Sequence, residues 1–263
     1  MSFETISIST DDRGVATLTL DREDKHNALS ARMIDELTAA AAQLGADDKV
    51  RVVVLTGAGD SFCAGGDLGW MREQFHADRE TRMAEARKLA MMLKDLNELP
   101  KPLVGKVQGQ AFGGGIGMMS VCDVAVAVNG AKFGLTETRL GLIPATISPY
   151  VLARMGEGKA RRVLMSARLF EAEEARDLDL VAKVVEPGDL DAAIEAEIKP
   201  YLGAAPAAVA ASKALARSLG PVISDAEIDD TIGRLADTWE TPEAQEGISA
   251  FFDKRKPNWV TKS

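Results

Sequence analysis

The chain has 263 residues, 46% of them hydrophobic and 27% charged, with a formal net charge of -9; this composition fits a globular protein long enough to bury a substantial core. The acidic balance argues against a general nucleic-acid binder, which needs a basic footprint, and any anionic ligand must find local positive charge. Two cysteines and two histidines are too few for a disulfide framework or a four-ligand zinc site, so the expectation is a reducing, cytoplasmic compartment and no metal; no signal-peptide pattern or bilayer-length apolar run is present.

In chain order, Ile6–Ser9 and Val15–Leu20 alternate in polarity around the turn Asp11-Asp12-Arg13-Gly14, which predicts a hairpin. A polar loop, Asp21 to Ala28, leads to Ser30, placed to cap a helix with Met33, Ile34, Leu37, Ala40, Ala41 and Leu44 on one face and Gly45 at its end. Val50–Thr56 is mostly β-branched and nearly continuous, as expected of a strand covered on both faces. A glycine-rich loop follows, Gly57 to Leu68. Such a loop after a buried strand is where α/β proteins bind ligands, although its plain alternative is a flexible connection. It lacks the Gly-Lys-Ser/Thr of a P-loop and the spacing of a dinucleotide fingerprint. Trp70 to Arg82 is charged and weakly periodic and reads as a mobile lid; Met83 to Leu99 is a helix with Ala86, Leu89, Ala90, Leu93 and Leu96 inward.

Lys101 to Gly109 is an apolar run between Pro102 and Gly109 and predicts a buried strand. Gly113-Gly114-Gly115 then opens Ile116–Val121, apolar all round and therefore a helix packed inside the protein. Helix N-termini carry unpaired N–H groups and partial positive charge, and glycine lets a ligand approach them; close helix packing would also explain three glycines. After a strand over Asp123–Val128, Glu137 is a lone carboxylate in an apolar, turn-punctuated segment. Burial there would raise its pKa towards neutrality, as proton transfer requires, whereas most such residues are solvated or ion-paired. Beyond Pro149 short helices are expected over 151–155, 159–166 and 171–178, a last short strand over 179–185, and helices broken at Pro206, Gly220-Pro221 and Pro242. A strand-strand-helix unit recurs from residue 1 to about 140.

Phe62-Cys63-Ala64-Gly65-Gly66-Asp67-Leu68 and Gly109-Gln110-Ala111-Phe112-Gly113-Gly114-Gly115 with Cys122-Asp123 resemble the two oxyanion loops of the crotonase (enoyl-CoA hydratase/isomerase) family. Thr136–Pro144 is similar to the family segment that carries a catalytic glutamate, and Phe251–Pro257 to its C-terminal signature. The resemblance implies an α/β, crotonase-like spiral of repeated strand-strand-helix (ββα) turns. It divides the chain into an active-site core, 1–200, and a helical region, 201–263, for trimerisation and part of the CoA site, in a homotrimer or a hexamer built as a dimer of trimers. It also implies an acyl-CoA thioester substrate, no cofactor beyond the CoA that the substrate carries, and no nucleic acid or membrane partner. Carried over residue by residue, Gly66 and Gly114 would hold the thioester oxygen and Glu137 would be the acid/base. Lys25, Ala28, Leu29, Ala64, Asp67, Leu68, Phe252 and Lys254 would grip CoA or substrate.

One position departs from the pattern. Many enoyl-CoA hydratases have a first catalytic glutamate where this chain has Gly117. Gly117, together with Ala145-Thr146-Ile147-Ser148-Pro149 in place of the usual glycine run, is similar to bacterial methylglutaconyl-CoA and isohexenylglutaconyl-CoA hydratases of leucine and acyclic-terpene breakdown. Hydratase is therefore ranked above isomerase, in which one glutamate would move one proton, and above a non-catalytic acyl-CoA binder. If the acyl group carries a second carboxylate, Arg72, Arg79 and Arg82 in the expected lid are the candidates to meet it, against the alternative that they pair with Glu73, Asp78 and Glu80.

Overall fold

Each alternating or β-branched stretch of the first half becomes a strand in a repeated strand-strand-helix unit; the first unit puts both strands in one sheet, and each of the next three splits its strands between two sheets. The computed structural model describes residues 3–261. In the first unit β1 (Ile6–Thr10) and β2 (Val15–Leu20) pair antiparallel, with Ile8 opposite Leu18. Helix α1 (Ala31–Ala46) follows, and the Ser30 hydroxyl accepts the Met33 N–H at its start. The six apolar positions expected on one face of α1 are all buried. Burying side chains the size of Met33, Ile34 and Leu37 contributes about 1.5–3 kcal/mol each. The helix does not stop at Gly45 but runs one residue further. Gly45 instead makes room for packing, since a Cβ there would stand 3.3 Å from Pro100 Cδ.

The second unit comprises β3 (Val52–Gly57), β4 (Ser61–Cys63), α2 (Leu68–His76) and α3 (Arg79–Glu98). The stretch expected as a lid is thus helical. Asp67 caps α2 by accepting the N–H groups of Gly69 and Trp70, and Asp78 caps α3 by accepting that of Thr81. These caps organise a segment whose periodicity is weak. The third unit is β5 (Leu103–Val107), β6 (Gln110–Phe112) and α4 (Gly114–Val121); the fourth is β7 (Val124–Val128), β8 (Lys132–Gly134), a 3-10 turn over Glu137–Leu140 and α5 (Ser148–Met155). Then come α6 (Glu157–Leu164), β9 (Leu169–Glu171), α7 (Ala172–Asp177) and β10 (Lys183–Val185), and last α8 (Leu190–Leu202), α9 (Pro206–Leu219), α10 (Asp225–Trp239) and α11 (Pro242–Phe252).

One sheet has the order β1-β2-β3-β5-β7-β10 and is parallel from β2 onward. The other has the order β4-β6-β8-β9, with its first three strands parallel. A single large core fills the space among the sheets, α1, α3 and α4. Helix α8 runs through position 200 and packs on β7, β5 and β3, α10 lies along α3, and α11 packs on the 3-10 turn. None of the residues of α9 is buried.

Candidate active site

The site is built at one edge of the smaller sheet. Because β4, β6 and β8 are parallel neighbours, their C-terminal ends point the same way, roughly 4.8 Å apart from strand to strand. Three residues past β4 is Gly66, two past β6 is Gly114, and three past β8 is Glu137. The topology therefore delivers two backbone donors and one carboxylate side by side, at the strand ends where α/β proteins place ligands.

The loops around these residues are tied to one another. Leu29 bridges to Gly66 in parallel fashion: the Leu29 N–H donates to Gly65 O at 2.7 Å and the Asp67 N–H to Leu29 O at 2.9 Å. Asn27, fully buried, donates through its side-chain amide to the carbonyl oxygens of Ala58 and Ser61. Arg22 pairs with Asp67 at 2.9 Å and donates to Ala28 O at 2.7 Å. This bracing uses the N–H groups of Leu29 and Asp67, and that of Ala64, which donates to His26 O. Among the described residues the N–H groups of Gly66 and Gly114 have no protein acceptor. Gly114 is also the first residue of α4, so the helix dipole adds partial positive charge beside its N–H. The loops approach too closely for side chains: at Gly65, whose φ is +88°, a Cβ would lie 2.9 Å from Phe112 O.

Glu137 packs against Gly113, where a Cβ would be 2.8 Å from Glu137 Oε1. Its Oε2 is sealed from solvent and has no hydrogen-bond partner. Burial pushes the pKa up to about 7, and the Glu137 backbone N–H, which favours the charged form, opposes this less strongly. Half protonated near neutrality, the carboxyl can take a proton and return it. Gly66, Gly114 and Glu137 line one cavity of about 150 Å³ with Leu29, Trp70, Met83, Leu89 and Ile143. Two N–H groups without a protein acceptor and a carboxyl with one orphaned oxygen, all on the wall of one largely apolar cavity, can stabilise a thioester enolate and move protons at its carbon chain.

The sequence profile of the enoyl-CoA hydratase/isomerase family matches residues 10–262. The chain belongs to that family. It is an enzyme with the crotonase fold, and the wider comparison agrees. An enoyl-CoA hydratase crystal structure from Shewanella pealeana is 40% identical with a TM-score of 0.80, covering 98% of this chain and 96% of that one. The structure of Pseudomonas aeruginosa AtuE is 38% identical with a TM-score of 0.79, covering 98% and 100%. The crotonyl-CoA hydratase of Syntrophomonas wolfei is 31% identical over 268 residues, the whole of both chains.

In this crotonase the cavity gathers Gly66, Gly114, Glu137 and Leu29 from the residues expected in the site. Ala28 is buried just before Leu29, while Ala64 and Asp67 brace the loop. The Asp67 carboxylate is fully engaged in capping α2 and pairing with Arg22. Lys25, Leu68 and Lys254 are exposed, with Lys25 Nζ 3.4 Å from Asp24, and Phe252 is half-buried under the Arg72 guanidinium. The expected lid arginines separate: Arg79 pairs with Asp237 and Glu240, and Arg82 lines the cavity. The sequence reading did not find the wall made by α10, through Ile232, Leu235, Ala236 and Trp239. Their helical spacing marks an apolar face but not what that face covers.

Proposed function

We propose that this enzyme adds water across the 2,3-double bond of an enoyl-CoA thioester. The observation that carries the reading is the buried, partnerless Glu137 Oε2 in the same cavity as the free N–H groups of Gly66 and Gly114. Ionised Glu137 takes a proton from water, the hydroxide oxygen bonds to C3, and the electron pair of the double bond moves towards the thioester oxygen. The two N–H groups stabilise the enolate oxygen without reorganising, and Glu137 returns its proton to C2. One carboxyl thus serves as base and then acid, and ends as it began.

The acyl group we assign is a branched glutaconyl thioester from leucine or acyclic-terpene breakdown, on the pattern of Gly117 with Ala145–Pro149. We also assign a homotrimer or hexamer in the cytoplasm, needing no cofactor apart from the substrate's CoA. Exposed Leu215 and Leu219 on α9, with Val222 just beyond, supply apolar surface for subunit contacts. A second reading, isomerisation of a 3-enoyl to a 2-enoyl thioester, is favoured by Gly117, because one carboxylate suffices to move one proton. Offering crotonyl-CoA and a 3-enoyl-CoA and following the absorbance of the conjugated enoyl thioester separates the two. Hydration bleaches the first; isomerisation makes the second absorb.

A further inference from the structure

Among the described residues two buried side-chain atoms lack a hydrogen-bond partner, Glu137 Oε2 and Gln74 Oε1, and both residues line the same cavity. Gln74 belongs to α2 and is 9% exposed. It stands three residues beyond Met71 and four beyond Trp70, so it shares their helix face one turn further on, ~5.4 Å along the axis. Met71 and Trp70 lie against the first glycine-rich loop: a Cβ on Gly66 would be 3.5 Å from Met71 Cγ and 3.8 Å from Trp70 Cε3. The second loop adjoins the first, since a Cβ on Gly65 would be 3.8 Å from Gly114 N, and Glu137 Oε1 packs on Gly113. Gln74 is thus about one helical turn from the two loops assigned to the thioester oxygen, and Glu137 adjoins the same loops.

Burying either oxygen unpaired is costly, so each calls for a donor. Water carries two O–H donors, and one molecule can complete both oxygens when Glu137 is ionised. The cavity of about 150 Å³ has room for it beside an acyl chain, since a water's share of the liquid is ~30 Å³. Arg82, also on the wall, can only donate: its Nε to Gln74 O at 2.8 Å and its Nη2 to Phe75 O at 3.3 Å. We propose that Gln74 Oε1 and Glu137 together hold the water that adds to C3. This rests on the hydration reading of the cavity and adds a residue to it. One O–H of the water donates to Gln74 and the other to ionised Glu137. The second proton passes to the carboxylate as the oxygen bonds to C3. The first stays on that oxygen, so the product's 3-hydroxyl still donates to Gln74. An amide suffices here because the site needs an acceptor that leaves this proton in place, not a second base.

Glu137 can act on C2 without this water, so the test splits the two steps. Hydration of crotonyl-CoA, and exchange of the C2 protons of butyryl-CoA in D2O read by NMR, are measured for the wild type, Gln74→Met, Gln74→Glu and Thr146→Val. Thr146 is included because its side chain also lines the cavity. Gln74→Met keeps the size and loses the acceptor. Its kcat for hydration should fall at least about tenfold, with exchange within about threefold of the wild type, which also shows that it is folded. Gln74→Glu keeps an acceptor but sets a second carboxylate on the same water. As pH is lowered, its kcat/KM for hydration should begin to fall about one pH unit higher than in the wild type, a readout that serves even if Gln74→Met fails to fold. Three results overturn the proposal: equal losses of hydration and exchange in Gln74→Met, an unmoved pH profile in Gln74→Glu, or loss of hydration in Thr146→Val alone. A wild type that exchanges C2 protons without hydrating crotonyl-CoA would instead overturn the hydration reading itself, so the two failures are told apart.

Discussion

Ile147 occupies the space that any side chain on Gly117 would need: a Cβ there would stand 2.6 Å from Ile147 Cγ2 and 3.0 Å from Ile147 Cβ, with Leu93 Cδ1 at 3.3 Å. The position where many hydratases have a second glutamate is thus filled from the side by hydrocarbon. Gly117→Ala should destabilise by about 1–3 kcal/mol through overpacking, and Ile147→Ala by about 2–5 kcal/mol through the cavity it leaves. The double variant should lose less than the sum by about 1 kcal/mol or more, because each change relieves the other. Urea unfolding measures all three. Simple additivity would show that the two positions do not compete for space.

With hydrocarbon at that position, Glu137 is the carboxyl to which we assign proton transfer. Glu137→Gln should lower the hydration rate at least about a hundredfold and leave the thioester dissociation constant within about threefold, since shape is kept and the proton lost. In the wild type the same carboxyl must start ionised in either direction. With its pKa pushed to about 7, kcat/KM for hydration and for dehydration should each fall about tenfold per unit below that pH. A profile with an added falling limb just above neutrality would require a second, protonated group.

The raised pKa also has a stability consequence. The unfolded chain releases the Glu137 proton near the ordinary glutamate value of 4.5, while the folded chain holds it to about 7. Stability contributed by the protonated form is therefore fully present below pH 4.5 and is lost as pH rises to 7, a loss on the order of 3 kcal/mol at most. Glu137→Gln should match the wild type in melting temperature near pH 4.5 and exceed it at pH 8. Equal melting temperatures at both values would mean that the ionised carboxylate is better solvated than its sealed Oε2 indicates.

The parts legible in the sequence were those with enough residues to show a period. All six inward positions of α1 follow from their spacing, and the buried strand over Val52–Thr56 from a nearly continuous β-branched run. The smaller sheet did not emerge, because β4, β6 and β8 have three residues each, too few for a period of two to register. Yet those strands align Gly66, Gly114 and Glu137. Glu137 and the two glycine-rich loops stand out in the sequence, and the resemblance picks Gly66 and Gly114 from those loops; the parallel pairing explains why they meet. Arg82 and Arg79 could not be told apart, since both lie in one charged run and only the packing of α10 commits Arg79 to Asp237 and Glu240.

Gly114 is the first residue of α4, a position where proline fits a helix without breaking it. Gly114→Pro should therefore fold, with Leu29 Cδ1 yielding where the new Cβ would come within 2.7 Å. It removes one of the two N–H groups to which we assign the oxyanion, a loss of about a hundredfold to a thousandfold in kcat. Circular dichroism confirms the fold and steady-state kinetics read the loss. A folded variant with wild-type kcat would place the thioester oxygen elsewhere.

Asp67 does not itself line the cavity, yet it fixes the loop next to Gly66. Oδ1 accepts the N–H groups of Gly69 and Trp70, while Oδ2 accepts from Arg22, whose other nitrogen donates to Ala28 O. Burial works to raise its pKa, but the Trp70 N–H and Arg22 outweigh that and hold it below the usual carboxylate value. Asp67→Asn keeps a capping oxygen and loses the charge pair; Asp67→Ala loses both, at about 1–2 kcal/mol for the cap alone. Stability should fall in the order wild type, Asn, Ala. Hydration kcat should follow the same order, because the Gly66 N–H can act only if the loop holds it against the enolate oxygen. Thioester affinity should change less than kcat, which distinguishes misplacement of a donor from loss of a binding surface. An Ala variant that is folded, less stable and fully active would show that the bridge between Leu29 and Gly66 positions the donor unaided.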